Sequence, residues 1–399
     1  MILSGIIYPM TRVFKFPDGF LWGAASASYQ VEGGISNNDW AKAAEDGRIM
    51  PAGKSTDHYH RYKEDFDIAK SLGHNSHRIS IEWSRIEPEE GKFDHKEIEH
   101  YKNVIKAMRE RGLTPLITLW HFTLPLWFAN RGGFASKESP AFFSRYCKHV
   151  VDELNEEGII WTTMNEPIVW STFAYLWGQW PPFELFKTGV FLKVIRNLIK
   201  SHKHAYNEIK ETTPSASVGI VKNNMYMHVS RYSRFNPFLY VNRIFNDYFW
   251  NRYFMNKVKD HIDTIGLNYY FHTEFGRKEK YVKSDMGWDL YPEGITHVLK
   301  DLKKFNKPIY ITEAGIADEK DHFRAEYIKD LVVAINKAIE DGVDVRGYMY
   351  WSLLDNYEWL FAYSKKFGLV EVDPKTFERK IRSSAYEYKK ICESNSVTT

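Results

Sequence analysis

Short runs of β-branched and aromatic residues alternate along the chain with longer segments whose apolar residues recur at helical spacing. The short runs predict strands at 21–28, 76–83, 114–120, 159–165, 216–223, 263–270, 307–313 and 345–353. The longer segments predict helices at 57–72, 96–111, 141–157, 190–212, 292–305, 322–341 and 380–391. A long aromatic-rich connection separates the fifth strand from the sixth. Strands joined by helix-length connections pair in parallel, so the pattern predicts successive βα units.

Eight such units predict an α/β fold with a single (β/α)8 TIM barrel. An open doubly wound sheet is the rival architecture, but it usually carries a glycine-rich phosphate turn, and no GxGxxG follows any strand here. No repeat or linker interrupts the pattern. We therefore expect one catalytic domain over 1–399, with loose termini at 1–14 and 394–399.

Composition excludes several classes of protein. The 399 residues carry 54 Lys and Arg against 51 Asp and Glu, and the two signs are interleaved. Such a chain has no broad positive field, so we expect no nucleic acid and no membrane as a partner. Cys147 and Cys392 lie far apart without a CxxC and are expected to be buried thiols. The first residues lack a basic leader, which favours a cytoplasmic location.

Polar side chains follow nearly every predicted strand. In a parallel barrel the active site lies at the C-terminal ends of the strands, so these residues are the first place to look for chemistry. In strand order the ends carry Gln30 with Glu32, Arg78, His121, Asn165 with Glu166, Asn223 with Asn224, Asn268 with Tyr270, Glu313, and Trp351 followed by Glu358 and Trp359.

Glu166 and Glu313 stand at the ends of the fourth and seventh strands and form a carboxylate pair across a pocket. Cleavage of an acetal needs a proton for a poor leaving group and a negative group beneath an oxocarbenium-like centre. Arg78 and Tyr270 are suited to hold one carboxylate ionised. A single Glu is more often a solvated charge or a helix cap, and it is the shared strand-end position that favours catalysis.

Flat apolar rings and hydroxyl-binding groups accompany the carboxylates. Trp351 and Trp359 flank Glu358 and can stack on the C–H faces of a sugar ring, while about half of the tryptophans are expected to be core. Gln30, His121, Asn165 and Glu358 are suited to sugar hydroxyls. A lone histidine such as His121 is more often structural, so its role depends on its neighbours.

Three other motifs are discounted. Gly53-Lys54-Ser55 resembles the end of a phosphate loop, but Gly47 lies one residue too far upstream. His58 with His60, and His74 with His77, lack zinc-ligand spacing. A GxSxG nucleophile elbow is absent. The sequence therefore predicts neither a metal nor a cofactor.

Eight longer motifs together are specific. They are FLWGAASASYQVEGG at 20–34, HRISIEWSRIEP at 77–88, TLWHFTLPLW at 118–127, TMNEP at 163–167, GLNYY at 266–270, GWDLYPEG at 287–294, YITEAG at 310–315 and WSLLDNYEW at 351–359. On these motifs the chain resembles glycoside hydrolase family 1, the retaining β-glucosidases and β-galactosidases with a (β/α)8 barrel. The resemblance covers nearly the whole chain.

The resemblance implies roles for the strand-end residues. Glu166 matches the general acid/base, Glu313 the nucleophile, Arg78 and Tyr270 its supports, and Asn268 a position near the acid/base. The positions that hold the terminal sugar in the family correspond to Gln30, His121, Asn165, Trp351, Glu358 and Trp359. Retention then requires the two carboxyl groups to lie about 5 Å apart.

The implied activity is that of a retaining exo-β-glycosidase acting on a small-molecule β-glycoside or oligosaccharide. The expected substrates are terminal β-D-glucosides, together with β-D-galactosides and fucosides. Relatives that accept 6-phosphorylated sugars tend to lack the carboxylate of Glu358, because it would repel the phosphate. The substrate is therefore expected to be unphosphorylated.

Some segments depart from the family pattern. TEAG replaces TENG, EWLFAY replaces EWAEGY, YLWGQWPP replaces a more glycine-rich segment, and the connection at 224–262 is shorter than in most relatives. These changes predict a more open mouth, which is either mobile or able to admit a second ligand. They also leave an alternative, a sugar-binding or repurposed barrel with weak turnover, although a binding protein has no need of both Glu166 and Glu313.

Overall fold

The computed structural model of the protein describes residues 12–399. The strands in this part of the chain are β1 (Val13–Lys15), β2 (Leu21–Ala25), β3 (Ser76–Ser80), β4 (Thr114–Thr118), β5 (Ile160–Asn165), β6 (Ser217–Asn223), β7 (Tyr226–Val229), β8 (Thr264–Asn268), β9 (His272–Phe275), β10 (Ile309–Ala314), β11 (Val345–Trp351), β12 (Val370–Val372), β13 (Arg379–Ile381) and β14 (Ser396–Thr398).

Eight strands close a parallel barrel in the order β2-β3-β4-β5-β6-β8-β10-β11. Each strand pairs with the next barrel strand along the chain, and β11 pairs with β2 to complete the closure. The predicted (β/α)8 barrel is confirmed. Three two-stranded sheets, β1 with β14, β7 with β9 and β12 with β13, lie outside it.

Helices follow the barrel strands. They are α1 (Ser28–Val31), α2 (Asp39–Glu45), α3 (His58–Ser71), α4 (Trp83–Ile86), α5 (His95–Glu110), α6 (Leu126–Asn130), α7 (Ser139–Leu154), α8 (Pro167–Tyr175), α9 (Thr188–Thr212), α10 (Pro237–Asp247), α11 (Phe254–Val258), α12 (Gly294–Leu302), α13 (Arg324–Glu340) and α14 (Ser383–Ser394). Short 3₁₀ turns span Gly133–Ala135, Arg231–Ser233, Lys303–Phe305 and Trp359–Phe361, and a π-helix spans Tyr248–Tyr253.

Helix α5 shows how the sequence builds these elements. The Asp94 side chain accepts a hydrogen bond from the Lys96 N–H at 2.8 Å and caps the first turn. Ile98, Ile105 and Met108 then recur on one face and are buried in the core between helices and barrel. Burial of such a stripe, rather than intrinsic propensity, holds the helix against the strands.

Five of the eight predicted barrel strands run past the observed ones at their C-terminal ends. The strand predicted at 21–28 ends at Ala25, and Ser28 already begins α1. The strand predicted at 76–83 ends at Ser80, and Trp83 begins α4. Apolar alternation continues beyond the last ladder hydrogen bond because these residues leave the sheet yet stay buried.

The connection at 224–262 is more structured than its composition indicates. It contains β7, α10, the π-helix and α11, in place of an open loop. Strand β7 pairs in parallel with β9, which lies in the following connection. The two connections are therefore tied together beside the barrel mouth.

The prediction of loose termini is wrong for 12–14 and 394–399, whereas 1–11 lie outside the described residues. Strand β14 pairs with β1 in register Val13 to Thr398. The Asn395 side chain also accepts a hydrogen bond from Trp22 Nε1 at 2.9 Å and donates one to the Phe16 carbonyl at 3.0 Å. Because these contacts join both ends of the described chain to the barrel, we propose that it forms one catalytic domain.

No helix between residues 12 and 399 is long and apolar enough to cross a membrane. Both cysteines are free and buried, as the sequence predicts.

Replacement of Asn395 by Ala tests how much its side-chain hydrogen bonds, which join the C-terminal segment to the barrel, stabilise the protein. The change leaves the buried indole N–H of Trp22 and the Phe16 carbonyl without their partner, so we expect a loss of about 2–3 kcal/mol in the free energy of unfolding. Guanidinium unfolding followed by tryptophan fluorescence measures it. Glu393→Ala, at an exposed residue two positions earlier, is the control and should stay within about 0.5 kcal/mol. Equal stability of the two variants would show that the side-chain hydrogen bonds of Asn395 do not stabilise the protein.

Candidate active site

The residues predicted for the site converge at the C-terminal end of the barrel. They come from seven barrel strands or the segments that directly follow them, and all but two are buried. The buried ones are Gln30, Arg78, His121, Asn165, Glu166, Asn268, Glu313, Trp351 and Trp359, while Tyr270 and Glu358 are half-buried.

Glu313 is held by two donors. It lies on β10, with Oε1 accepting a hydrogen bond from the Arg78 guanidinium and Oε2 accepting one from the Tyr270 hydroxyl at 2.6 Å. Burial and the negative charge of Glu313 raise the pKa of Tyr270 well above its usual value, so the phenol keeps its proton and remains a donor. A carboxylate that accepts from a cation and a phenol is stabilised in its ionised form.

Arg78 connects four barrel strands. From β3 its Nε donates to Thr118 Oγ1 on β4 at 3.1 Å, and its Nη2 donates to Asn165 Oδ1 on β5 at 2.9 Å. The remaining arm binds Glu313 on β10. The guanidinium group is almost completely buried, so these partners replace the water it has lost.

Glu166 stands at the corner between β5 and α8. Its backbone is left-handed, with φ of 42°, and Pro167 occupies the first turn of the helix that follows. The Glu166 N–H donates to the Val221 carbonyl on β6 at 3.0 Å, and its own carbonyl accepts from the Trp170 N–H at 3.1 Å. This fixed corner aims the side chain across the barrel end.

The carboxyl of Glu166 has an environment opposite to that of Glu313. Its Oε1 accepts only from amides, Asn268 Nδ2 at 2.6 Å and Asn223 Nδ2 at 3.2 Å. Burial, followed by the negative charge of Glu313, raises the pKa of Glu166 to about 7. The carboxyl therefore exchanges its proton near neutral pH.

Sequence reasoning gave no role to three residues that support Glu166. Asn223 donates to its carboxylate, and Thr312 orients Asn268 by donating to Asn268 Oδ1 at 2.7 Å. Lys222 is buried nearby, and burial lowers the pKa of its ammonium to about 7. A signal existed for Asn223, because it ends its strand as Asn165 and Asn268 end theirs.

Gln30 and Glu358 form a second polar group. Gln30 Nε2 donates to the Tyr357 carbonyl at 2.9 Å and lies 3.5 Å from Glu358 Oε2. Gln30 Oε1 is buried without a hydrogen-bond partner among the described residues. Burial and the charge of Glu313 raise the pKa of Glu358 to about 8. These groups leave hydrogen-bonding capacity that a hydroxylated ligand can use.

Aromatic rings wall the pocket. The His121 ring stacks nearly parallel to Trp351 and to Trp359, with centroids 6.1 Å away in both cases. Burial lowers the pKa of His121 well below its usual value, so the ring is neutral. Gly315 allows the wall to close, since a Cβ there would meet the Trp351 carbonyl oxygen at 2.0 Å.

Within the described part of the chain, the opposite end of the barrel carries no comparable arrangement. A surface cavity of about 980 Å³ lies there, but its acidic side chains, Asp18, Glu156, Glu157 and Asp344, are exposed. Among residues 12–399, His, Cys, Asp and Glu side chains do not gather in groups suited to a metal ion. The C-terminal end combines a carboxylate that accepts from a guanidinium and a phenol, a protonatable carboxyl and an aromatic wall, which together suit the cleavage of an acetal.

Known proteins resemble this chain along nearly its whole length. The family model for glycosyl hydrolase family 1 matches residues 13–258 and 245–397. β-Glucosidase A of Thermotoga maritima is 34% identical over 442 residues, covering 96% of this chain and 99% of the relative.

Solved structures give the same result. The β-glycosidase from Pyrococcus horikoshii superimposes with a TM-score of 0.89 and 37% identity, covering 97% of this chain and 96% of that one. The Thermotoga maritima β-glucosidase in complex with glucoimidazole superimposes with a TM-score of 0.85 and 32% identity, covering 96% of this chain and 99% of that one. The chain therefore belongs to glycosyl hydrolase family 1 and is a glycoside hydrolase.

Proposed function

We propose that the protein removes a terminal, unphosphorylated β-glucosyl unit from small-molecule β-glycosides, with retention of configuration, through a covalent intermediate on Glu313. The observation that carries this proposal is the contrast between the two carboxyl groups. Glu313 accepts from a guanidinium and a phenol, whereas Glu166 is buried among amides with a pKa of about 7. Glu313 is thus suited to act as an anion and Glu166 to act as a proton donor.

In the first step a carboxylate oxygen of Glu313 bonds to the anomeric carbon while the bond to the leaving oxygen breaks. Glu166 transfers its proton to that oxygen, so the departing alcohol is neutral. Negative charge on Glu313 falls as the ester forms, which removes the main electrostatic reason for the raised pKa of Glu166 after burial. The pKa of Glu166 therefore falls as the ester forms, which favours transfer of its proton to the leaving oxygen and leaves Glu166 ionised, ready to act as the base in the second step.

In the second step Glu166 takes a proton from water as the water oxygen attacks the anomeric carbon. The ester bond to Glu313 breaks and the carboxylate returns to its two donors. Two inversions give net retention. The amides of Asn268 and Asn223 hold Glu166 Oε1 and so position the group for both proton transfers.

The sugar pocket supports the choice of substrate. Gln30, His121, Asn165 and Glu358 offer polar groups, and Trp351 with Trp359 offers ring faces. A sugar 6-phosphate would bring further negative charge into a pocket that already holds three carboxyl groups. β-Galactosides and β-fucosides are expected as additional substrates. The alternative of a sugar-binding barrel with weak turnover is not favoured, because the relatives named above are glycosidases.

A panel of aryl β-glycosides tests the function directly. We expect turnover of the glucoside, galactoside and fucoside and none of the 6-phosphoglucoside. Glu313→Gly should lose at least about 10⁴-fold in kcat, because no covalent intermediate can form. Added azide should restore turnover by entering from the vacated side, which gives the α-glycosyl azide.

Two results would contradict this assignment. Recovery of a β-glycosyl azide from Glu313→Gly would show that another residue is the nucleophile. Saturable sugar binding by the wild-type protein without product release would return the binding-only alternative.

The role of Glu166 is tested by the leaving group. Glu166→Ala should retain activity on a dinitrophenyl glucoside, whose leaving group needs no proton, and lose about 10²–10⁴-fold on an alkyl glucoside. Comparison of kcat/KM across phenols of graded acidity measures the difference. An equal loss on every substrate would mean that Glu166 does not act as the acid.

The pH dependence tests the same carboxyl. Glu166 must be protonated in the first step, so kcat/KM should fall as the pH rises through about 7. Asn223→Leu removes a donor that favours the ionised form, so the pKa of Glu166 should rise and the alkaline limb should move upward by about half to one pH unit. A reduced rate with an unmoved limb would limit Asn223 to a structural role.

A further inference from the structure

Helix α10 presents its apolar residues outward. Asn236 caps it by accepting from the Phe238 N–H at 3.1 Å, and Pro237 occupies its first turn. Four exposed apolar side chains of α10 and one at each of its ends form a surface that we call the apolar helix face. With their exposed fractions, they are Phe235 (86%), Phe238 (81%), Val241 (67%), Ile244 (56%), Phe245 (70%) and Tyr248 (49%). A continuous exposed apolar patch of this kind is typical of a surface that binds another protein or a membrane.

The inward side of the same helix is polar. Arg243 and Asp247 line a cavity of about 270 Å³ beneath it. Asp247 is buried, accepts from Asn251 Nδ2 at 2.7 Å and pairs with Arg252 Nε at 2.7 Å. Asn251 in turn exchanges hydrogen bonds with the Met225 backbone at 3.1 and 2.9 Å. Polar contacts thus fix the helix to the body, so the apolar helix face is not needed for its attachment.

Basic residues lie at the N-terminal end of this face. The segment 231–260 carries six Lys and Arg against two Asp, so the local excess of positive charge is larger than that of the whole chain. Arg231 and Arg277 lie over the Tyr232 ring at 4.9 and 5.4 Å, and Arg234 lies over Phe235 at 4.8 Å. Arg231 also pairs with Glu279 at 3.1 Å, and Arg252 pairs with Asp301 at 2.9 Å, so about half of this excess is compensated. Within the described part of the chain, Arg234 and Arg277 have no carboxylate at ion-pair distance.

Apolar surface continues toward the mouth of the barrel. The Phe191 ring at the start of α9 lies 5.9 Å from Phe249 of the π-helix, and the neighbouring Leu192 is exposed. The connection that contains α10 begins directly after Asn223, the last residue of β6, and Asn223 donates a hydrogen bond to the Glu166 carboxylate. The apolar helix face therefore belongs to the end of the barrel at which the candidate active site opens.

We propose that the apolar helix face docks on the surface of a lipid bilayer that carries anionic headgroups. Phenylalanine and tyrosine rings would enter the boundary between headgroups and acyl chains, and the guanidinium groups would pair with lipid phosphates. Charge favours this occupant over a second copy of the chain. Two identical basic rims would repel each other across a symmetric interface, whereas an anionic bilayer attracts them.

This proposal departs from the expectation of no membrane partner, which rests on the charge balance of the whole chain. Interleaved charges elsewhere in the sequence hide a local cluster that only the folded helix brings beside exposed rings. The proposal is independent of the substrate, since it concerns a surface outside the sugar pocket.

Co-sedimentation of the full chain with vesicles tests the proposal. We expect binding to vesicles of phosphatidylglycerol and phosphatidylcholine in equal parts, and weaker binding to phosphatidylcholine alone. The double variant Phe238→Asn/Phe245→Asn should reduce the partition coefficient by roughly tenfold for each ring removed. Arg234→Gln should reduce it by roughly fivefold on the anionic vesicles only.

A matched control variant shows whether the loss of vesicle binding is specific to the apolar helix face. Phe323→Asn/Tyr386→Asn also removes two exposed aromatic rings, but away from α10, and should bind vesicles as the wild type does. Unchanged far-ultraviolet circular dichroism in both double variants shows that each is folded, whatever its activity.

Three results would overturn the proposal. The first is an equal loss of binding in both double variants. The second is no sedimentation of the wild type with anionic vesicles. The third is a dimer in analytical ultracentrifugation that Phe238→Asn/Phe245→Asn dissociates while vesicles leave the wild type unbound, which would assign the face to a second copy.

Discussion

The guanidinium group of Arg78 is the constraint on which the catalytic end of the barrel depends. A cation enclosed by a parallel barrel has lost its water and is stable only when its donors are satisfied. Thr118, Asn165 and Glu313 supply those acceptors from three other strands. The pairing therefore ties β3, β4, β5 and β10 together at this end of the barrel and places a buried cation against the Glu313 carboxylate.

The charge on Glu313 then sets the chemistry of its neighbours. It is the second cause, after burial, of the raised pKa values of Glu166 and Glu358, and it helps to keep Tyr270 protonated. A single buried anion thus makes the surrounding groups proton carriers and donors. In the proposed mechanism this anion is consumed when the glycosyl ester forms, so the pKa of Glu166 would fall as the reaction proceeds.

The connection between β6 and β8 has two roles. Its first residue follows Asn223, which holds Glu166, and its middle forms α10 with the apolar helix face. Polar contacts of Asp247 and Asn251 attach the helix to the barrel, so its outward-facing apolar residues are not needed for that attachment. One connection can in this way support the site and still present a separate surface.

Strand periodicity was enough to predict eight βα units, because buried parallel strands leave a strong and repeated apolar signal. Strand-end position and motif spacing likewise placed Glu166, Glu313, Arg78 and Tyr270 in one site. Local pattern failed where long-range contacts decide the outcome. It did not show that 394–399 pair with β1, that Asn223 reaches Glu166, or that α10 turns its rings outward. A hydrophobic residue reads the same in sequence whether it faces core or solvent, and only tertiary packing determines which face of an amphipathic helix is buried.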